Sequence, residues 1–164
     1  HFLKPSIHEE TDSPEIRKVV KKWDSFEKDE KKLEAALDFV HRHIKNKTYD
    51  HINLSAKEVL LKKSGDCTEH STLLSALLKA SEIPVKMVYG VVLGKNNKFM
   101  FHNWNEVYID GNWIPVDATF GKIPADAARI AFVRSNGASS ENEKVAFAVL
   151  GILNNLSIEV ISYE

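Results

Sequence analysis

The sequence predicts an α+β fold, with helices first and an antiparallel sheet after them. Three observations carry that reading. Apolar residues recur at helical spacing through the first half of the chain. From Val85 onward the apolar residues alternate instead, as in strands. Asp110-Gly111 sits between two such alternating segments, a strong two-residue hairpin signal. At 164 residues, with 43% hydrophobic and 27% charged residues, the chain is expected to form one domain, spanning 1–164, with its own core.

The elements follow in order. Ser13-Pro14 is a helix start: an oxygen to cap the first turn, then a residue with no N–H to leave unpaired. Leu33, Ala36, Leu37, Val40 and Ile44 place one apolar stripe along a helix over about 29–46. Ser55 and Glu58 form a capping box that opens a short helix ending near Gly65. A further helix starts at about Cys67. Leu73, Leu74, Leu77 and Leu78 make it the central buried helix, and Ile83-Pro84 ends it. Val85, Met87, Tyr89 and Val91 then read as a strand, with a turn at Gly94 to Asn97. Strands over 98–109 and 112–117 flank the hairpin turn. The stretch 121–140 reads as loop, about 142–153 as helix, and 156–163 as a last strand.

Composition excludes several roles. The net charge is −1, and the lysines between Lys18 and Lys32 are interleaved with acidic residues, as on solvated helix faces. Nucleic acid is therefore not an expected partner. One cysteine rules out an internal disulfide, and no apolar run reaches the length of a membrane span. The chain begins at His1 rather than Met, so a fragment of a longer chain or a mature form is expected.

Cys67 follows Gly65-Asp66 and opens an apolar helix, so it is expected on a helix first turn. Free N–H groups and the helix dipole favour negative charge there, which predicts a depressed thiol pKa. A lone cysteine is more often a small buried hydrophobe. The hairpin adds a second observation. With Asp110-Gly111 as the loop, Ile109 faces Asn112, Trp104 faces Asp117 and His102 faces Thr119. His102, Trp104 and Asp117 then share one face, with Asp117 diagonal to His102 and within reach of a side-chain hydrogen bond. A carboxylate on one imidazole nitrogen orients the ring and frees the other nitrogen to exchange a proton with a thiol. Asp117 alone would be read as a turn former at a strand end.

Here the sequence resembles a family. Gly65-Asp66-Cys67-Thr68-Glu69-His70 with its leucine-rich helix looks like the nucleophile motif of transglutaminase-like domains. Ile83-Pro84-Val85 resembles the helix exit. His102-Asn103-Trp104-Asn105-Glu106-Val107 looks like the histidine motif, and Gly111-Asn112-Trp113-Ile114-Pro115-Val116-Asp117-Ala118-Thr119 like the aspartate motif. Their order, and separations of 35 and 15 residues, fit as well. The matched region is about 55–121. The resemblance implies a papain-like fold and thiol acyl-transfer chemistry, with Cys67, His102 and Asp117 as catalytic residues and a peptide or protein as substrate. It implies no cofactor. Bacterial members are often hydrolases or parts of larger exported proteins, which implies an extracytoplasmic location. Asn103, Ser71 and Ala118 depart from the common residues, and none holds a triad role. Asn103, pointing away from His102, is expected to matter little.

An oxyanion hole would take the Cys67 backbone N–H and a second donor from upstream. The chain has no glutamine, so Tyr49, Asn46, Asn53 and Trp23 are the candidates, with Tyr49 preferred for its hydroxyl. Trp104 and Trp113 are candidate walls of an acyl cleft, or packed core aromatics. His41, His43, His51 and His70 do not show the spacing of a metal site, and no acidic loop has calcium-ligand spacing, so no metal is expected. Two functional classes stay in play: a cysteine hydrolase or acyl transferase acting on amide bonds, with hydrolysis favoured over amine incorporation, and a catalytically silent peptide-binding module on the same fold.

Overall fold

The computed structural model describes residues 2–4, 8–48, 54–94, 97–136, 151–152 and 158. Among the described residues, four helices pack on a four-stranded antiparallel sheet. Helix α1 spans Pro14–Val20, α2 Asp29–His43, α3 Ala56–Lys62 and α4 Cys67–Ala80, with a 3-10 turn at Lys21–Trp23. The sheet holds β1 (Val85–Leu93), β2 (Phe99–Ile109), β3 (Asn112–Val116) and β4 (Arg129–Ser135), in spatial order β3-β2-β1-β4.

The local signals act as expected. Ser13 caps α1 through the N–H of Ile16, and Ser55 and Glu58 close the capping box of α3. α4 carries a second capping box, in which Asp66 accepts from the N–H of Thr68 and Glu69 accepts from that of Asp66. Every residue of α4 from Glu69 to Ala80 is buried, so this helix is the centre of the core. Its apolar partners are Val40 and Leu37 of α2, Ile16 of α1, Val59 of α3, and Val85, Val107, Ile109 and Val116 of the sheet. The helix end is held by Arg17, which donates to the Ala80 carbonyl over 2.9 Å.

A buried ion pair ties the N-terminal segment to this core. The Lys79 ammonium meets both oxygens of Glu9, at 2.7 and 2.8 Å, and the Asn136 carbonyl at 2.7 Å. Ser75 donates to the same Glu9 carboxylate.

The hairpin has the expected register, from Ile109↔Asn112 to Asn105↔Val116. Asp110 and Gly111 both take positive φ, 49° and 81°, as a type I′ turn requires. The pairing does not run on to Trp104 and His102. Asp117 turns the chain away instead, because its side chain accepts the N–H groups of Thr119 and Phe120. It then forms a bridge with Lys122.

The stretch read as loop, 121–140, contains β4. Arg129-Ile130-Ala131-Phe132-Val133 has strand-forming residues, but β1 pairs with it across a register shift at Tyr89/Gly90, which blurs the alternation. The helix expected over 142–153 and the strand expected over 156–163 lie almost wholly outside the described residues.

Candidate active site

α4 and β2 bring the site together. Odd-numbered residues of β2 face α4: Asn103 donates to the Thr68 hydroxyl, Asn105 donates to the Ser71 carbonyl, and Val107 and Ile109 join the core. Even-numbered residues lie on the opposite face. There His102 packs near Trp104, with ring centroids 6.3 Å apart and planes inclined by 18°. Trp104 is buried against Gly90 of β1, where a Cβ would come within 2.8 Å of its Cη2. The ring of Phe120 lies 5.1 Å from that of His102 on another side.

His102 Nε2 lies 2.7 Å from Asp117 Oδ2, and both residues are buried. A carboxylate only accepts, so Nε2 carries the proton and donates it. That fixes the tautomer and leaves the Nδ1 lone pair as the basic position. The Asp117 carboxylate is saturated with donors. Oδ2 also accepts from Arg129 Nη2 at 2.7 Å, and Oδ1 accepts the two backbone N–H groups of the turn. Burial pushes Asp117 toward its neutral form. The hydrogen bond and charge of His102, then those of Arg129, outweigh burial and hold the group below the usual carboxylate range.

Cys67 stands at the first residue of α4, partly buried. Its sulfur sits beside the backbone N–H of Asn103, the residue after His102, and its own N–H. Both favour a thiolate, as the helix start does. They do not prevail. Burial, followed by the negative charge of Asp66, pushes the thiol up to about 11. The depressed pKa expected from the helix start is therefore not found, because desolvation exceeds the dipole. Glu69, one turn on, is pushed up to about 7, first by burial and then by its contact with Asp66.

The turn that presents Cys67 is shaped by Gly65, whose φ is 153°. A Cβ there would lie 2.3 Å from the Cβ of Glu69. The backbone of Asn46 braces this turn, its carbonyl accepting from Gly65 N and Ser64 Oγ.

Of the other residues marked in the sequence, Trp104 lies beside His102. Trp113 does not: it is near the other end of the hairpin, against Phe2 and Tyr108, with the Lys86 ammonium 3.5 Å from its ring centre. As a cleft wall it is corrected to a packing residue, since it lies opposite Tyr108, six residues along β2 from His102. Trp23 is a buried core aromatic, 6.1 Å from Phe39. Tyr49, Asn53 and His51 lie outside the described residues. His41, His43 and His70 each donate a ring N–H to a backbone carbonyl, of Ala118, Leu60 and Asp66.

Sequence reasoning did not find Arg129 or Phe120, and it undervalued Asn103. For the Asp66–Glu69 capping box the signal was present, an acid followed three residues later by Glu ahead of an apolar run. For Arg129 there was no local signal, because the sheet and its loop bring it to Asp117.

The sequence pattern of the transglutaminase-like superfamily matches residues 17–118. The chain belongs to that superfamily. Comparison with curated proteins gave no match. Among solved structures, the chain is similar to a protein from Cytophaga hutchinsonii provisionally named a cysteine protease. The two share 25% identity with a TM-score of 0.69, over 82% of this chain and 46% of that one. It is also similar in fold to the periplasmic domain of TgpA from Pseudomonas aeruginosa, at 18% identity and TM-score 0.56, over 73% of this chain and 48% of that one. LapG of Legionella pneumophila matches at 15% identity and TM-score 0.54, over 90% of this chain and 97% of that one. This superfamily member thus spans about half the length of the first two relatives.

Proposed function

We propose that this domain is a cysteine hydrolase acting on amide bonds of peptides or proteins, with Cys67 as nucleophile, His102 as general base and acid, and Asp117 as the residue that orients His102. The observation that carries the reading is the buried 2.7 Å contact from His102 Nε2 to Asp117, which aims the one basic nitrogen elsewhere. The sulfur of Cys67 lies beside the next residue of the same strand.

In the proposed reaction His102 Nδ1 takes the Sγ proton as the sulfur attacks the carbonyl carbon. The C–N bond then breaks, and the proton passes from Nδ1 to the departing nitrogen. The acyl group is left as a thioester on Cys67. Water, deprotonated by the same Nδ1, attacks the thioester, the C–S bond breaks, and the thiol is restored. A thiol held near pKa 11 is neutral at rest, so its proton leaves during attack rather than before it. Hydrolysis is favoured over amine incorporation because no residue in the sequence marks a dedicated amine site. We read 1–164 as a single domain that acts as part of a longer chain. An extracytoplasmic setting accords with the periplasmic domain among the structural relatives.

The test is turnover of a peptide library, with and without an added primary amine, followed by mass spectrometry. Expected are acid products in the parent, an acyl adduct on Cys67 under acid quench, and neither in Cys67→Ala. Predominant amine adducts would instead make the domain an acyl transferase to amines. The raised thiol favours one competing reading, a peptide-binding module without chemistry. Saturable peptide binding, no turnover and no adduct would establish that reading in place of the hydrolase.

A further inference from the structure

We infer that Arg129 is a fourth member of the site: a positioning residue that holds Asp117, and through it His102, from the opposite end of the loop that joins β3 to β4. The inference rests on the proposed triad and adds to it a residue outside the region the family pattern covers.

Four observations carry it. The Arg129 guanidinium is buried, its Nη2 lies 2.7 Å from Asp117 Oδ2, and that is the oxygen His102 uses. Its Nη1 bonds the Asp126 side chain and the Asp126 carbonyl, so the two nitrogens staple separate points of one loop. The loop is drawn in besides by the Asp117–Lys122 bridge, by Ala125 N donating to the Pro115 carbonyl over 2.7 Å, and by the Lys122–Asp126 ion pair. Lastly, the guanidinium lies 5.8 Å from the ring centre of Phe120, the ring that also packs on His102.

A cation is costly in such a place. Its Nε is buried without a partner among the described residues. A merely structural closure of the loop would not need a charge on the carboxylate that holds the candidate base. Asp117 has two jobs, accepting from His102 and turning the chain. The guanidinium fixes the carboxylate plane in which both are done. Lysine would replace it only in part, since one ammonium on a flexible stem supplies the charge but lacks the planar fork that spans Asp117 and Asp126. A cation on the shared oxygen also draws on the same lone pairs as Nε2–H, so it sets how tightly Asp117 holds His102.

The experiment compares Arg129→Gln and Arg129→Lys with the parent, in kcat and KM on a hydrolysed peptide and in the downfield proton resonance of His102 Nε2–H. Thermal unfolding monitors integrity. Expected for folded Arg129→Gln is a fall in kcat of about 10- to 100-fold with KM little changed, a size typical of slight misplacement of a catalytic group. The His102 resonance should shift, and Arg129→Lys should recover part of both. Parent-like kcat with an unmoved resonance in a folded variant overturns the inference. If Arg129→Gln does not fold, Arg129→Lys is judged by the same two readouts. Failure of the hydrolase reading looks different: the parent and Cys67→Ala would then turn over equally or not at all. In that event the resonance alone decides, a shift upholding the role of Arg129 and its absence ending it.

Discussion

The Asn103 side-chain amide donates to the Thr68 hydroxyl over 3.0 Å, which ties the residue after His102 to the residue after Cys67. One hydrogen bond thus joins the strand of the proposed base to the helix of the proposed nucleophile. Removing it should let the two drift. Asn103→Ala should lower kcat by roughly 10-fold with KM little changed, while global stability falls by only about 1 kcal/mol. Thr68→Val should do the same, and the double variant should be no worse than either single one, as expected of a shared contact. Additive losses in steady-state kinetics would show that the two residues act separately.

Asp117 sits between two cationic or proton-bearing partners, so neutralising it should be expensive twice over. Asp117→Asn should reduce kcat by about 10³-fold and stability by roughly 1–3 kcal/mol, because the buried Arg129 is left with only the half-exposed Asp126 as counter-charge. The pH dependence has a definite sign. The folded pKa lies below the unfolded value of about 3.9, so the stabilisation is present above that pH and is lost as pH falls through the folded value. Acid titration of thermal unfolding should therefore show a loss in the parent that Asp117→Asn lacks.

Cys67 titrates in the opposite region. Its thiol keeps the proton to about pH 11 when folded, whereas an unfolded thiol gives it up near 8.5. Stability should therefore fall as pH rises through that window, by about 1–2 kcal/mol at pH 10. Cys67→Ala should remove this part of the alkaline loss. Alkylation by iodoacetamide should keep accelerating from pH 7 toward pH 11. A rate that plateaus below pH 7 would mean that the thiolate is already formed at rest.

Gly65 has no room for a methyl group, with its φ at 153° and Glu69 Cβ 2.3 Å from any Cβ placed there. Gly65→Ala must move Glu69 and open the capping box that starts α4. The expected result is a loss of about 1–3 kcal/mol together with a kcat loss exceeding that of a surface variant such as Lys31→Ala. Unchanged kinetics would show that the box does not position Cys67.

Lys79 and Glu9 form an ion pair with side chains 1% and 0% exposed. Desolvation lowers the Lys79 pKa although Glu9 opposes it. Lys79→Met alone should cost about 3–5 kcal/mol, since the buried Glu9 carboxyl loses the ammonium that meets both its oxygens. The double variant with Glu9→Leu should regain most of it. Chemical denaturation of the three variants measures the coupling directly.

Much of this architecture was readable before any coordinates. Caps, helical stripes and the Asp110-Gly111 turn are short-range signals, and they placed α1 to α4, the β2–β3 register up to Asn105–Val116 and the contact of His102 with Asp117, although the strand pairs expected beyond that point, Trp104 with Asp117 and His102 with Thr119, do not form. What escaped has long-range causes. β4 is paired across a shifted register with β1, so its alternation is broken where Gly90 meets Ala131. The curl at Asp117 needs its side chain to choose backbone N–H groups over further strand pairing, a choice settled by tertiary contacts with His102 and Arg129. The thiol went the wrong way because the helix start is visible in sequence, whereas the depth to which the fold buries it is not.

The clamp on Asp117 also has a bearing on when the site comes into being. Chain order runs Cys67, His102, Asp117, Arg129, and a chain emerging from the ribosome presents them in that sequence. Until β4 is made and laid beside β1, Asp117 lacks its guanidinium and the β3–β4 loop is open at one end. A half-made chain can therefore expose a thiol and an imidazole without fixing their relation. On this architecture the proposed triad is complete only in the finished sheet, so any chemistry it carries waits for β4.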